Sequence, residues 1–146
     1  MKSLLSKFVI VLIAFGLTNL GSAEVQGGTD WKYYGANQDG AYFYCTESMA
    51  KSSRNVVRVW VHSTYTDQGI TRWVRGGGKE FQDLGSTLAL SELDCAYSTF
   101  RSLQIVFYSK SGEVIKPIHF KEWEFFAPDS MPEALYHEVC NTNSSL

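Results

Sequence analysis

Val56-Val57-Arg58-Val59-Trp60-Val61-His62 is the stretch that decides the fold. Val57, Val59 and Val61 fall on one side of an extended chain, and Arg58, Trp60 and His62 on the other. A strict period of two belongs to a strand with one face in the core. A helix would need its apolar residues three and four apart. The rest of the chain is read outward from here, as partners for this strand.

Upstream, Trp31-Lys32-Tyr33-Tyr34 and Ala41-Tyr42-Phe43-Tyr44-Cys45 are two aromatic strands joined by the turn chemistry of Gly35 to Gly40. Ser52-Ser53-Arg54-Asn55 reads as a loop. Downstream, Asp67-Gln68-Gly69 reads as a turn and Ile70 to Val74 as a strand that Gly76-Gly77-Gly78 ends. Gly76 to Gly85 shows no period of its own. Between Thr87 and Tyr97, Leu88 and Leu90 lie on one face and Leu93, Cys95 and Tyr97 on the opposite one, so a bulge or break is expected near Ser91-Glu92. Leu103, Ile105 and Phe107 give another strand. Ser109-Lys110-Ser111-Gly112 is a tight hairpin loop with Gly112 at positive φ. In the return strand, Glu113 to Phe120, Pro117 has no N–H for a ladder, so the strand is an edge or is bulged there.

Trp123 and Phe125 share a face and are expected to pack beneath a C-terminal helix. That helix starts at a capping box, Ser130-Met131-Pro132-Glu133. Pro132 is tolerated in the first turn, and Met131, Leu135 and Val139 form an apolar stripe. It runs about ten residues, to near Cys140, and residues 141–146 form a polar tail. The fold class is α+β: an antiparallel sheet of about six strands with one C-terminal helix packed on it.

The N-terminus has a different grammar. Lys2 and Lys7 precede the apolar run Phe8 to Leu17, and Gly21-Ser22-Ala23 supplies small residues where a signal peptidase cuts. A membrane anchor needs about 20 apolar residues, and this run is about half that. Residues 1–23 are therefore read as a signal peptide, 24–30 as a flexible leader and 31–140 as one domain. The expected location is exported: periplasmic, or secreted and at the cell surface. No second apolar run follows, so no membrane span is expected in the mature chain. Removing Lys2 and Lys7 takes the formal net charge from −2 to −4. A nucleic-acid binder would carry a clustered basic excess instead.

Three cysteines follow the signal peptide: Cys45, Cys95 and Cys140. An odd number in an exported chain leaves one unpaired or paired between molecules, and three pairings are open. A Cys95–Cys140 bridge would staple helix to sheet and add roughly 4 kcal/mol through loop-closure entropy. Cys45 would then be a free thiol.

No catalytic constellation stands out. G-x-S-x-G and H-E-x-x-H are absent. Gly76-Gly77-Gly78-Lys79 lacks the first glycine and the Ser or Thr of a phosphate loop. His137 and Cys140 share a helix face, but two ligands are too few for a metal. We expect no enzyme activity, no metal and no cofactor. The candidate partner-binding cluster is Arg72, Trp73 and Arg75 with Lys79. Two arginines around a tryptophan can grip an acidic or aromatic partner. The alternative is a solvated loop with Trp73 tucked into the core.

The whole stretch from Trp31 to Cys140 resembles the surface-adhesin protein E family of bacterial exported proteins. The resemblance rests on the order of Trp31, Tyr42-Phe43-Tyr44, Val57-Arg58-Val59-Trp60-Val61, Leu93-Asp94-Cys95, Tyr108-Ser109-Lys110-Ser111-Gly112, Trp123, Ala127-Pro128-Asp129-Ser130 and Glu138-Val139-Cys140. It implies an antiparallel sheet with a C-terminal helix packed on it and a Cys95–Cys140 bridge. It also implies a binding role towards host extracellular-matrix or serum proteins. A periplasmic, envelope-associated interaction domain without a host partner is the competing expectation. The chain departs from the family pattern at Cys45, where Asp is frequent, and lacks the lipid-attachment cysteine.

Overall fold

The computed structural model describes residues 30–142. The expected signal peptide, the leader before Asp30 and the tail from residue 143 lie outside the described residues. The strands are β1 (Trp31–Ala36), β2 (Gly40–Cys45), β3 (Ala50–Ser53), β4 (Val56–Tyr65), β5 (Leu84–Asp94), β6 (Thr99–Ser109), β7 (Val114–His119) and β8 (Glu124–Phe125). The helices are α1 (Asp67–Gly77) and α2 (Met131–Thr142). The strands form one antiparallel sheet in the order β1-β2-β4-β5-β6-β7, with β3 added to β4 and β8 to β6. The fold class is as expected, with eight strands rather than about six. The additional short strands pair with the ends of the long ones, and β3 includes Ser52 and Ser53 of the expected loop.

β4 lies inside the sheet, as its alternation requires. Val57, Val59 and Val61 are buried, with Val59 wholly so. Tyr44, Ala89, Leu93, Leu135, Val139 and Cys140 complete this cluster, so α2 lies against the valine face. A second cluster of Ile70, Phe81, Leu84 and Phe107 packs with Trp73 of α1. Both helices thus cover the same face, each over its own core.

α1 corrects the sequence expectation of a turn and a strand at 67–74. Thr66 caps it, its Oγ1 accepting from the Gly69 N–H at 3.2 Å. Ile70, Trp73, Val74 and Gly77 are spaced as one helical face, and the Gly78 N–H closes the end on the Val74 carbonyl at 3.0 Å. The β-branched residues and Trp hid that period. Asp67 and Arg75 also suit the two ends of the helix dipole.

β5 needs no change of phase. Thr87, Ala89, Ser91 and Leu93 take the helix-covered face, and Leu88 and Leu90 the other. A register shift does fall between Leu90 and Ser91, but the additional residue, Leu103, belongs to β6. β5 then ends at Asp94, whose Oδ1 accepts the Ala96 and Tyr97 N–H groups. Cys95 therefore sits just past the strand rather than on it, and Tyr97 is exposed. β7 is an edge strand carrying Pro117 opposite Val106, and Gly112 has φ +86° in the hairpin loop.

Trp123 and Phe125 do not pack beneath α2. β8 is only two residues paired with Thr99 and Phe100, which leaves Phe125 82% exposed. Trp123 lies over the Arg101 guanidinium at 4.5 Å. Phe126 meets the helix instead, through Tyr136 at 5.1 Å. The capping box forms with an offset. Ser130 Oγ accepts from the Glu133 N–H at 3.4 Å, while the Glu133 carboxylate reaches the Asp129 N–H at 2.6 Å.

Cys95 and Cys140 are bridged, with their Cα atoms 5.5 Å apart, and Cys45 is free and buried. The bridge ties the last turn of α2 to the end of β5. Tyr136 adds a hydrogen bond to the Cys95 carbonyl at 3.1 Å.

Candidate functional site: a cleft between the two helices

Between the two cores the sheet face carries small residues. Ser63, Thr87, Ala89 and Ser91 occupy positions whose phase calls for core side chains, and nothing large fills the space above them. A cleft of about 790 Å³ results, with α1 as one wall and Ser130 with the first turns of α2, to Leu135, as the other. That size lies within the range of ligand pockets.

Tyr34, Tyr42 and Tyr65 supply aromatic surface, with Trp73 on the α1 side. Burial pushes the phenols of Tyr34, Tyr42 and Tyr65 above their ordinary pKa. They are neutral hydroxyl groups at physiological pH. Tyr65 exchanges a hydrogen bond with Thr87 Oγ1 at 3.0 Å, and Tyr42 donates to Asn37 Oδ1 at 3.3 Å.

One end of the cleft is charged. The β1–β2 turn carries Asp39, and the first turn of α1 presses against it. The Thr66 N–H donates to the Asp39 carbonyl at 2.9 Å, and Thr66 Oγ1 donates to Gln38 O at 2.6 Å. A Cβ on Gly69 would collide with the same Asp39 carbonyl, so only glycine permits this approach. One turn later Arg72 reaches back, its Nη1 2.7 Å from Asp39 Oδ2. Asp39 Oδ1 is buried without a hydrogen-bond partner among the described residues.

The predicted cluster is split by this geometry. Arg72 stands at the cleft mouth. Trp73 is half-buried, with Phe107 at 4.9 Å, Phe81 at 5.6 Å and Tyr65 at 6.2 Å, so it is core on one side and cleft wall on the other. Arg75 and Lys79 are exposed near the end of α1. The tyrosines, Asp39 and the serine floor went unread because each looks ordinary alone. The legible signal was small polar residues at the inward phase of β4 and β5.

On the opposite face, Tyr33, Phe43, His62, Leu88 and Val106 are register partners across five strands. Glu92 is buried there between two guanidiniums. Arg58 holds one oxygen at 3.0 and 2.7 Å and Arg101 the other at 2.9 and 2.7 Å. Burial raises the Glu92 pKa. The hydrogen bonds from Arg101, Arg58 and Ser52 outweigh it, and the net shift is downward.

The family pattern described as Surface-adhesin protein E matches residues 31–141. The chain belongs to this family. Its fold is similar to that of Haemophilus influenzae protein E in crystal form II, with a TM-score of 0.51 at 16% identity over 70% of this chain and 82% of that one. A second structure, protein E from non-typeable Haemophilus influenzae, aligns with a TM-score of 0.47 at 14% identity over 77% of this chain and 78% of that one. No curated protein matches the chain in sequence. Membership in an adhesin family suggests a protein-binding role, and the Cys95–Cys140 bridge fits an extracytoplasmic location. No helix among the described residues is long and apolar enough to cross a membrane.

Proposed function

We propose that this protein is an exported, adhesin-like module that captures a protein partner through the cleft and its basic rim. One observation carries the reading. The cleft gathers Tyr34, Tyr42, Tyr65 and Trp73 beside Arg72, and Tyr, Trp and Arg are the residue types that dominate binding hot spots. Arg75 near the end of α1 and Lys79 just beyond it add positive charge outside the cleft's lining. Host extracellular-matrix and serum proteins are the partners this family points to; an envelope protein is the second source. Export begins with removal of residues 1–23, and Glu24 is the first residue of the secreted chain.

Parallel pull-downs test the partner, one from host matrix and serum and one from envelope extract. Capture from matrix or serum supports the adhesin reading. Capture only from the envelope moves the protein to a periplasmic role, and capture from neither removes the binding role. N-terminal sequencing of the exported protein is expected to begin at Glu24. A membrane-bound product that begins at Met1 would overturn the signal-peptide assignment.

A further inference from the structure

Asp39 Oδ1 is a shielded carboxylate oxygen without a donor among the described residues, and its residue lines the cleft. Buried acceptors in folded proteins almost always have a partner, so an orphan marks a place where one is missing. The missing group is a hydrogen-bond donor, and against a carboxylate the strong donors are cationic. Arg72 occupies only the other oxygen, from a side chain that is 66% exposed against 16% for Asp39. An ion pair with so exposed a member is weak and easily exchanged. Beside it, the Tyr34 and Tyr42 rings, 6.1 Å apart, offer π faces that attract a cation once water is excluded. The remaining volume is bounded by Trp73, Leu93, Phe100 and Ile105, which suit an apolar body.

We propose that the cleft takes an organic cation, with a bulky apolar body along the tyrosine and Trp73 wall and its ammonium or guanidinium group on Asp39 Oδ1. Arg72 is the resident cation that it displaces. Two sources share this chemistry: a free hydrophobic amine, or a Lys or Arg side chain flanked by apolar residues on a protein. This rests on the cleft being the binding site. If the cation belongs to a protein, the displaced Arg72 is released to meet an acidic group on that partner.

The test uses residues 24–146 and three probes with one body and different heads: 4-phenylbutylammonium, 4-phenylbutanol and 4-phenylbutyrate. Binding is followed by amide and indole NMR shifts of Gly69, Gly76 and Trp73. The ammonium is expected to bind at least tenfold tighter than the alcohol, and the carboxylate weakest. Asp39→Asn keeps the shape and should bring ammonium and alcohol within twofold. Arg72→Ala removes the competitor and should tighten the ammonium several-fold. No saturable binding, a preference for the carboxylate, or an ammonium preference that survives Asp39→Asn overturns the proposal. A water molecule held by Asp39 would appear as equal affinity for the ammonium and alcohol heads, which also overturns it. A capped Leu-Lys-Phe peptide separates the sources. Tighter binding of the peptide than of the ammonium probe assigns the cation to a protein, and the reverse assigns it to a small molecule. The pull-downs fail independently. Amine binding without any captured protein removes the protein-binding role and keeps the cation site. A partner captured equally by wild type and Asp39→Asn keeps the protein-binding role without Asp39, and the cation site then stands or falls with the amine probe alone.

Discussion

Glu92 shows how one residue can settle a stretch of sheet. It is 2% exposed on the face away from the helices, and each carboxylate oxygen receives two N–H groups from one arginine. Arg58 comes from β4 and Arg101 from β6, so the carboxylate of β5 locks three strands in register. Glu92→Gln keeps the outline and one acceptor but leaves two guanidiniums without a counter-charge. We expect a loss of about 2–3 kcal/mol at neutral pH, at or below the low end for breaking a buried pair because the amide still accepts. The pH dependence follows from the downward pKa shift. The unfolded carboxyl titrates near 4.3, and the folded one below that. The stabilisation is therefore complete above the unfolded value and disappears as pH falls through the folded one. Thermal melts of wild type and variant should differ by a constant interval down to about pH 5, begin to draw together as pH falls through about 4.3, and converge only below the lowered pKa of the folded carboxyl. His62 acts in the same direction, because burial lowers its pKa. Comparing the two proteins at each pH cancels that contribution.

The helices divide into one that the sequence announced and one that it concealed. α2 was legible because its cap, its proline and its stripe all agree. α1 was not, because Gly69, Gly76 and Gly77 are poor helix formers and Ile70-Thr71 mimics a strand. Packing decides instead: Ile70 and Trp73 are held by Phe81 and Phe107. Two of its glycines should respond in opposite ways. A Cβ at Gly69 meets the Asp39 carbonyl, so Gly69→Ala should push α1 off the β1–β2 turn and cost about 1–3 kcal/mol. A Cβ at Gly76 meets nothing within 4 Å, so Gly76→Ala should stabilise by about 0.5–1 kcal/mol through the unfolded chain. Urea unfolding of both variants checks the pair. α2 depends on its bridge. Cys140→Ala opens a sequence separation of 45 residues, and should cost about 2–4 kcal/mol with fraying of the last turn. The loss should match that of wild type measured under reducing conditions. Trp123 and Phe125 were misread for a related reason: alternation places residues on a face but does not say whether anything covers it.

Across the whole molecule, the sheet was legible and the cleft was not, because a cleft is defined by side chains that are missing from positions where the pattern expects bulk. Ser63, Thr87 and Ser91 keep the phase of a core strand while leaving it unfilled. The basic cluster was visible as composition, and the structure divides it: Arg72 lines the cleft, while Arg75 and Lys79 are exposed outside its lining. Arg72, Arg75 and Lys79 all lie at the surface of α1 or just beyond it, in a domain that is otherwise net acidic. Among the described residues the Arg72–Asp39 ion pair is what ties them to the fold, and an exposed pair contributes about 0–1 kcal/mol. Replacing all three with Ala should therefore leave the melting temperature within a few degrees of wild type, while Trp73 stays packed against Phe107. Partner capture should respond differently. If an acidic surface is drawn to this rim, the triple variant should associate more slowly, and its affinity should lose most of its dependence on salt. Surface plasmon resonance at two ionic strengths separates the terms, since a rim charge acts on the association rate more than on dissociation. Unchanged association at low salt would place the contact elsewhere, with the row from Tyr33 to Val106 on the opposite face as the surface to vary next. A large fall in melting temperature would mean that these side chains hold the fold, and that the rim is structural.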